Sequence, residues 1–213
     1  SGFGNVCWGI CTKAAQLGAK VVTLSGPDGY VYDPEGVCTK EKIDFLLEMR
    51  ASGHDKVQDY ADKFGCQFVA GEKPWGVKAD IIMPAATQND VNMEQAKKIV
   101  ANGIKYYIEV ANMPTTNDAL RYLMDQKNMI VAPSKAVNAG GVSVSGLEMS
   151  QNQEHLSWTA EEVDTKLRQI MKNIHDSSAA AAERYGLGYN LVAGANIVGF
   201  QKVADAMMAQ GWV

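Results

Sequence analysis

At 213 residues and 46% hydrophobic side chains, the chain has enough apolar material for one large domain, or for a domain with an appendage. No run approaches the roughly 20 unbroken apolar residues of a membrane helix, and the net charge of −4 argues against nucleic acid, whose phosphates need a basic surface. The four cysteines contain no C-x-x-C pair; Cys7 and Cys11 share a helix face, but only His54, His155 and His175 remain to complete a metal site and none is close in sequence. They read as reduced thiols of a cytoplasmic protein without a metal.

The chain opens on Ser1-Gly2-Phe3-Gly4-Asn5-Val6-Cys7, which has the Gly-x-Gly-x-x-small spacing of a dinucleotide-binding turn. The first glycine permits a backbone path closed to other residues, and the second lets the main chain approach a pyrophosphate. The third position is Cys7 instead of glycine, and no strand precedes the turn in this sequence. Val6, Ile10, Ala14 and Leu17 then recur at helical spacing up to Gly18. Ala19 to Ser25 is a β-branched run suited to a buried parallel strand, stopped at Gly26-Pro27-Asp28-Gly29. In a dinucleotide fold, an acid about 20 residues past the glycines accepts hydrogen bonds from the adenosine ribose. Asp28 stands at that distance, where its charge would favour NAD over NADP; it could equally serve to shape the Pro-Asp-Gly turn.

Tyr30 to Gly36 read as a surface excursion. Thr39 caps a helix carrying Ile43, Phe45, Leu46, Leu47 and Met49, and a second helix covers Lys56 to Phe64. Cys66 to Ala70 and Ala79 to Pro84 read as strands, the latter followed by small and polar residues, Ala85 to Asp90. Helix 91–102, strand 105–110, a loop from Ala111 to Thr116, a helix to about Gln126 and strand 129–132 continue the alternation of a doubly wound parallel sheet. The fold class expected is therefore α/β, a Rossmann-like, mostly parallel sheet over residues 1–136. Residues 137–213 form a helical C-terminal extension. It comprises a mixed segment through Gln153, a long helix capped by Thr159 that runs to about Tyr185, and a last helix over 190–210.

Six runs in order resemble the signature segments of hexameric bacterial glutamate dehydrogenases. They are Gly2-Phe3-Gly4-Asn5-Val6, Gly26-Pro27-Asp28-Gly29-Tyr30, Pro84-Ala85-Ala86-Thr87-Gln88-Asn89-Asp90, Ala111-Asn112-Met113-Pro114-Thr115-Thr116, Asn138-Ala139-Gly140-Gly141 and Gly194-Ala195-Asn196. They span nearly the whole chain, and Pro27-Asp28 is similar to the clostridial, NAD-dependent type.

The resemblance implies the cofactor-binding half of an enzyme that oxidatively deaminates L-glutamate to 2-oxoglutarate and ammonium with NAD. Gly2, Phe3, Gly4, Asn5 and Val6 would take the pyrophosphate and adenosine half, and Pro27 and Asp28 the adenine ribose. Ala86, Thr87 and Gln88 would line the path to the nicotinamide, which Asn112 and Asn138 would contact. Val142 and Ser145 would reach the glutamate side chain. The catalytic lysine and aspartate of the family lie in an N-terminal substrate domain ahead of the turn, so no residue here is assigned a catalytic role, and Lys135 is read as structural or solvent-facing. By the same resemblance the 137–213 segment packs on the nucleotide-binding part and on that substrate domain, within a cytoplasmic homo-hexamer that binds neither nucleic acid nor membrane. The alternatives are a stand-alone NAD-binding module and another amino-acid dehydrogenase. Against the latter, the Ser145 hydroxyl would go unpaired opposite an apolar substrate.

Overall fold

The computed structural model describes residues 1–53 and 56–211; His54 lies outside the described residues. The first helix, α1 (Asn5–Gln16), buries Cys7 and Cys11, which lie one turn apart on the face toward the core. The hydrogen bond between the two thiols, together with burial, pushes Cys11 far above the ordinary cysteine range, so it stays an apolar packing group.

Three short strands follow: β1 (Thr23–Ser25), β2 (Gly29–Tyr32) and β3 (Gln67–Ala70), antiparallel in the order β1-β2-β3. Two local expectations are corrected here. The first strand is shorter than residues 19–25 and its partner runs antiparallel, while the supposed surface excursion contains β2. The alternation of Gly29-Tyr30-Val31-Tyr32 puts Gly29 and Val31 inward. Gly26 N–H donates to the Gly29 carbonyl at 2.9 Å and closes the turn. A Cβ on Gly29 would lie 2.2 Å from the Val69 carbonyl oxygen, so only glycine lets β2 and β3 pair.

Helix α2 (Lys40–Ala51) begins as expected at Thr39, whose hydroxyl accepts from Lys42 N–H at 3.3 Å. Helix α3 (Gln58–Phe64) packs Tyr60 and Phe64 against Phe45. A buried polar knot ties these pieces to β2: Asp33, 3% exposed, accepts from Lys42 Nζ at 2.6 Å and from Tyr60 OH at 2.8 Å. Burial alone would raise the Asp33 carboxyl, but the Lys42 and Tyr60 hydrogen bonds outweigh it and hold Asp33 below the usual carboxylate range.

The second sheet is parallel, in the order β4 (Ile81–Ile82), β5 (Tyr106–Ile108), β6 (Ile130–Ala132). Its crossovers are α4 (Met93–Ala101), closed by a capping box between Asn92 and Gln95, and α5 (Asn117–Met124). Ile99, Tyr107 and Leu123, all fully buried, fill the core between this sheet and its helices. Between the two sheets lies Ser1-Gly2. The Ser1 amine donates to the Met83 carbonyl at 2.9 Å, and Ser25 N–H donates to the Gly2 carbonyl at 3.2 Å.

The rest is helical: α6 (Ser134–Val137), α7 (Ala139–Glu154), α8 (Ala160–Arg184) and α9 (Leu191–Gln210). Residues 139–154, expected to be mixed, form one continuous helix despite three glycines. A Cβ added at Gly140 would stand 3.7 Å from Met171 Sδ and 3.9 Å from a Leu167 methyl, ordinary contact distances, so α7 packs beside α8 here without needing the glycine. At the α8–α9 crossing, a Cβ on Gly194 would stand 1.9 Å from the Ser178 carbonyl oxygen. Val192 packs against the core of the parallel sheet and Lys135 Nζ donates to Asn196 Oδ1, so the tail is docked on the sheet. Lys135, expected to be structural or solvent-facing, is exposed and makes this contact at the surface. Among the described residues no helix is long and apolar enough to cross a membrane.

Because the folded Asp33 pKa lies below its unfolded value of about 3.9, its contribution to stability is complete above that pH and is lost as pH falls through the folded value. Asp33→Asn should cost about 3 kcal/mol near neutrality, since it leaves Lys42 without its buried partner. The same change should flatten the stability loss below about pH 4. Urea unfolding midpoints at neutral and acid pH test both; equal acid sensitivity in the two proteins would contradict the assignment.

Candidate functional site

The strand ends, the glycine turn and the loops after β4 and β5 gather on one side of the molecule. Gly2 has φ +101°, and a Cβ there would be 2.8 Å from the Ala85 carbonyl oxygen and 3.2 Å from Ala86 N. The turn is thus pressed directly against the Ala85-Ala86 backbone. Gly2 N–H also donates to Ser25 Oγ at 2.9 Å, locking it to the end of β1. Phe3 is half-buried and packs on the first core cluster, so much of its ring serves the fold.

Gly4 differs from Gly2. It is the N-cap of α1 with an ordinary φ of −81°, and a Cβ on it would meet nothing within 4 Å. Neither backbone geometry nor the chain's own packing requires a glycine there. The first turn of α1 holds no acidic residue and no side chain caps it, while Asn5 and Val6 are exposed. An uncapped helix N-terminus with open space over a glycine is the arrangement that accepts a diphosphate.

At the end of β1, Pro27 is exposed and Asp28 is half-buried. The Asp28 carboxylate is already engaged. Its Oδ1 accepts from Val57 N–H at 3.2 Å and its Oδ2 from Gln58 N–H at 3.1 Å. The residue therefore anchors the start of α3 across 29 residues of chain, a role more specific than shaping its own turn. An ionised carboxylate has about four acceptor sites, so two remain open for a ligand hydroxyl.

The loop of Ala86, Thr87 and Gln88 follows β4, with Thr87 and Gln88 exposed. It is tied to the loop after β5: Ala111 N–H donates to the Pro84 carbonyl at 2.8 Å, and Asn89 N–H donates to the Met113 carbonyl at 3.0 Å. Asn112 stands exposed between those two ties. Below them Tyr107 OH and Thr115 Oγ1 are 2.8 Å apart and buried, and burial pushes the Tyr107 hydroxyl well above its ordinary range, so it stays neutral. Asn138 is exposed at the junction of α6 and α7 with its side chain uncommitted to capping. Val142 and Ser145 are exposed on α7, and the Ser145 hydroxyl donates to the Gly141 carbonyl one turn back at 3.4 Å.

Two further acids of this region have ties that no local pattern marks. Glu109, 3% exposed at the end of β5, accepts from Ser134 N–H at 3.0 Å and fixes the turn into α6. Asp90 pairs with Lys73 Nζ at 3.5 Å and lies 3.5 Å from Ser1 Oγ, holding the loop after β4 beside the glycine turn. A charge directly after the apolar run Tyr106-Tyr107-Ile108 is the only cue that would have marked Glu109. Among the described residues, no group of three or more His, Cys, Asp or Glu side chains could hold a metal ion.

The sequence model of the Glutamate/Leucine/Phenylalanine/Valine dehydrogenases matches residues 1–211. The chain belongs to this family. It is 80% identical over 211 residues to the NAD-specific glutamate dehydrogenase of Clostridium symbiosum, a match that covers 99% of this chain and 47% of that enzyme. It is 58% identical over 216 residues to the NAD-specific glutamate dehydrogenase of Bacteroides fragilis, covering 99% and 47%. A solved glutamate dehydrogenase superimposes with a TM-score of 0.97 at 79% identity, covering 100% of this chain and 47% of that one. The chain thus spans about half the length of the curated relatives it matches, and its Rossmann-type α/β fold is that of this dehydrogenase family.

The two glycines of the turn should respond differently to substitution. Gly2→Ala, which adds a backbone clash to an unfavourable φ, should cost about 3 kcal/mol. Gly4→Ala, at a helix N-cap with open space above it, should cost at most about 1 kcal/mol. Thermal melts of both variants make the comparison; equal losses would mean that the turn is held differently.

Proposed function

We propose that the chain is the cofactor-binding half of an NAD-dependent glutamate dehydrogenase, which converts L-glutamate, NAD and water to 2-oxoglutarate, ammonium and NADH. The observation that carries the reading is Gly4: a position with ordinary backbone angles, no neighbour within 4 Å of an added Cβ, and an uncapped helix start beneath it. Gly2, Phe3, Gly4, Asn5 and Val6 then take the pyrophosphate and the adenosine half, where main-chain N–H groups and the helix dipole meet its charge. Pro27 and Asp28 hold the adenine ribose. With Val57 and Gln58 fixing its carboxylate, Asp28 keeps two acceptor sites for the ribose hydroxyls and a negative charge that disfavours a 2′-phosphate.

Ala86, Thr87 and Gln88 line the path to the nicotinamide, and Asn112 and Asn138 contact it. Val142 and Ser145 face the glutamate side chain from α7. Bound NAD supplies the hydride acceptor; the residues of this chain bind and orient it and keep water away from its reactive face. The lysine that activates water and the aspartate that moves protons belong to a substrate-binding half. Apolar side chains exposed on α7 and α9, among them Val142, Met149, Phe200 and Met207, support a large partner surface there. In this reading residues 1–136 are the dinucleotide-binding domain and 137–213 the segment that joins both halves, in a cytoplasmic homo-hexamer.

Calorimetry with NAD on the chain and on Gly4→Ala tests the turn. The variant should fold but bind NAD roughly tenfold more weakly, about 1.4 kcal/mol, and unchanged affinity would remove the pyrophosphate role. Glutamate-dependent NADH formation, measured after the chain is combined with the substrate half of a relative, tests the reaction. In the same assay Asp28→Ser should lower the NAD-to-NADP preference, and an unmoved ratio would take the ribose from Asp28.

A further inference from the structure

Among the described residues, three that are not glycine have positive φ: Asn89 at 53°, Met113 at 47° and His155 at 57°. His155 ends α7, where a left-handed residue is an ordinary terminator. The other two meet each other, because Asn89 N–H donates to the Met113 carbonyl at 3.0 Å. Asparagine tolerates the left-handed region through its short polar side chain. Methionine does not, and a residue that precedes proline is normally driven to extended geometry. Met113 precedes Pro114 and still sits at φ 47°.

The chain's own packing does not account for this conformation, since the Met113 side chain is 56% exposed. The surroundings nevertheless enforce it. Pro114 is fully buried, Val91 N–H donates to the Pro114 carbonyl at 2.9 Å, and Thr116 N–H donates to the Val91 carbonyl at 3.0 Å. Thr115 is pinned to Tyr107 below, and Ala111 N–H is held by the Pro84 carbonyl at 2.8 Å. The one residue between these anchored points is Asn112. Backbone strain that packing does not explain, set beside a ligand cleft, is a mark of positioning.

We propose that Met113 is a positioning residue: its left-handed backbone, clasped through its carbonyl to Asn89, directs Asn112 toward the nicotinamide end of the cofactor. The proposal rests on the cofactor reading above and adds that the conformation of residue 113, and not its side chain, sets the nicotinamide contact. Two ligands separate the ends of the site, since NAD reaches Asn112 and ADP-ribose ends before it.

Met113→Val introduces a β-branched residue that cannot hold the left-handed region, and Asn89 N–H then loses its acceptor. NAD affinity of this variant should fall roughly tenfold while ADP-ribose affinity stays within about twofold, the second ligand serving as the control for an intact fold. Hydrogen exchange at the Asn89 amide should accelerate in parallel. Met113→Gly removes the side chain but accepts the same φ, and should bind NAD like the unaltered chain. A Val variant that binds NAD undiminished would overturn the proposal, as would a Gly variant as weak as the Val variant. If the unaltered chain binds ADP-ribose but gains nothing from the nicotinamide, the positioning role is wrong and the adenosine half of the site stands. If it binds neither ligand, the cofactor reading itself fails, and this proposal with it.

Discussion

The arrangement around the glycine turn depends on how the backbone of Gly2 is held. On one side its N–H and carbonyl are bonded to Ser25 at the end of β1; on the other, the Ala85 carbonyl occupies the space where any side chain would go. This contact is the junction of the antiparallel and parallel sheets. It fixes where α1 starts, and with it the direction of the uncapped N-terminus under Gly4. It also brings the backbone of Ala85 and Ala86 against the glycine turn, so groups some 80 residues apart in sequence lie side by side.

The same economy governs Asp28. Its two carboxylate oxygens collect the first free N–H groups of α3, which in turn packs Tyr60 and Phe64 on Phe45. A residue proposed to hold the cofactor's sugar is also a tie within the first core, together with the Asp33–Lys42–Tyr60 knot. The proposed ribose contact and the seating of α3 thus fall on one side chain.

What the sequence disclosed follows the physical range of each signal. Helical periodicity and caps are local, so Thr39, Asn92 and Thr159 stand where helices begin, and α2, α4, α5, α8 and α9 were legible. Parallel strands ended by proline, as at Pro84 and Pro133, were legible for the same reason. Strand direction was not, because β1 looks identical whether its partner runs with it or against it, and its partner β2 hides in a stretch flanked by turn residues. α7 was missed because three glycines weaken the local propensity that its packing on α8 restores. Of the proposed site, the glycine turn and Asp28 rest on spacing, a local signal. The ties that make them a cleft, Glu109 to Ser134 and Asn89 to Met113, are long-range contacts with no local signature.

The crossing at Gly194 has a mechanical consequence. With no side chain between the α9 backbone and the Ser178 carbonyl, two helices of 25 and 20 residues are in backbone contact. Close contact of this kind resists sliding, so α8 and α9 act as a single stiff beam. Val192 on the parallel sheet, Lys135 on Asn196 and the ion pair of Lys13 with Asp164 tie it to the rest of the chain. α7, which carries Val142 and Ser145, packs against the same pair of helices beside Met171 and Leu167 of α8. The helical tail therefore meets the parallel sheet as one stiff piece and not as separate helices.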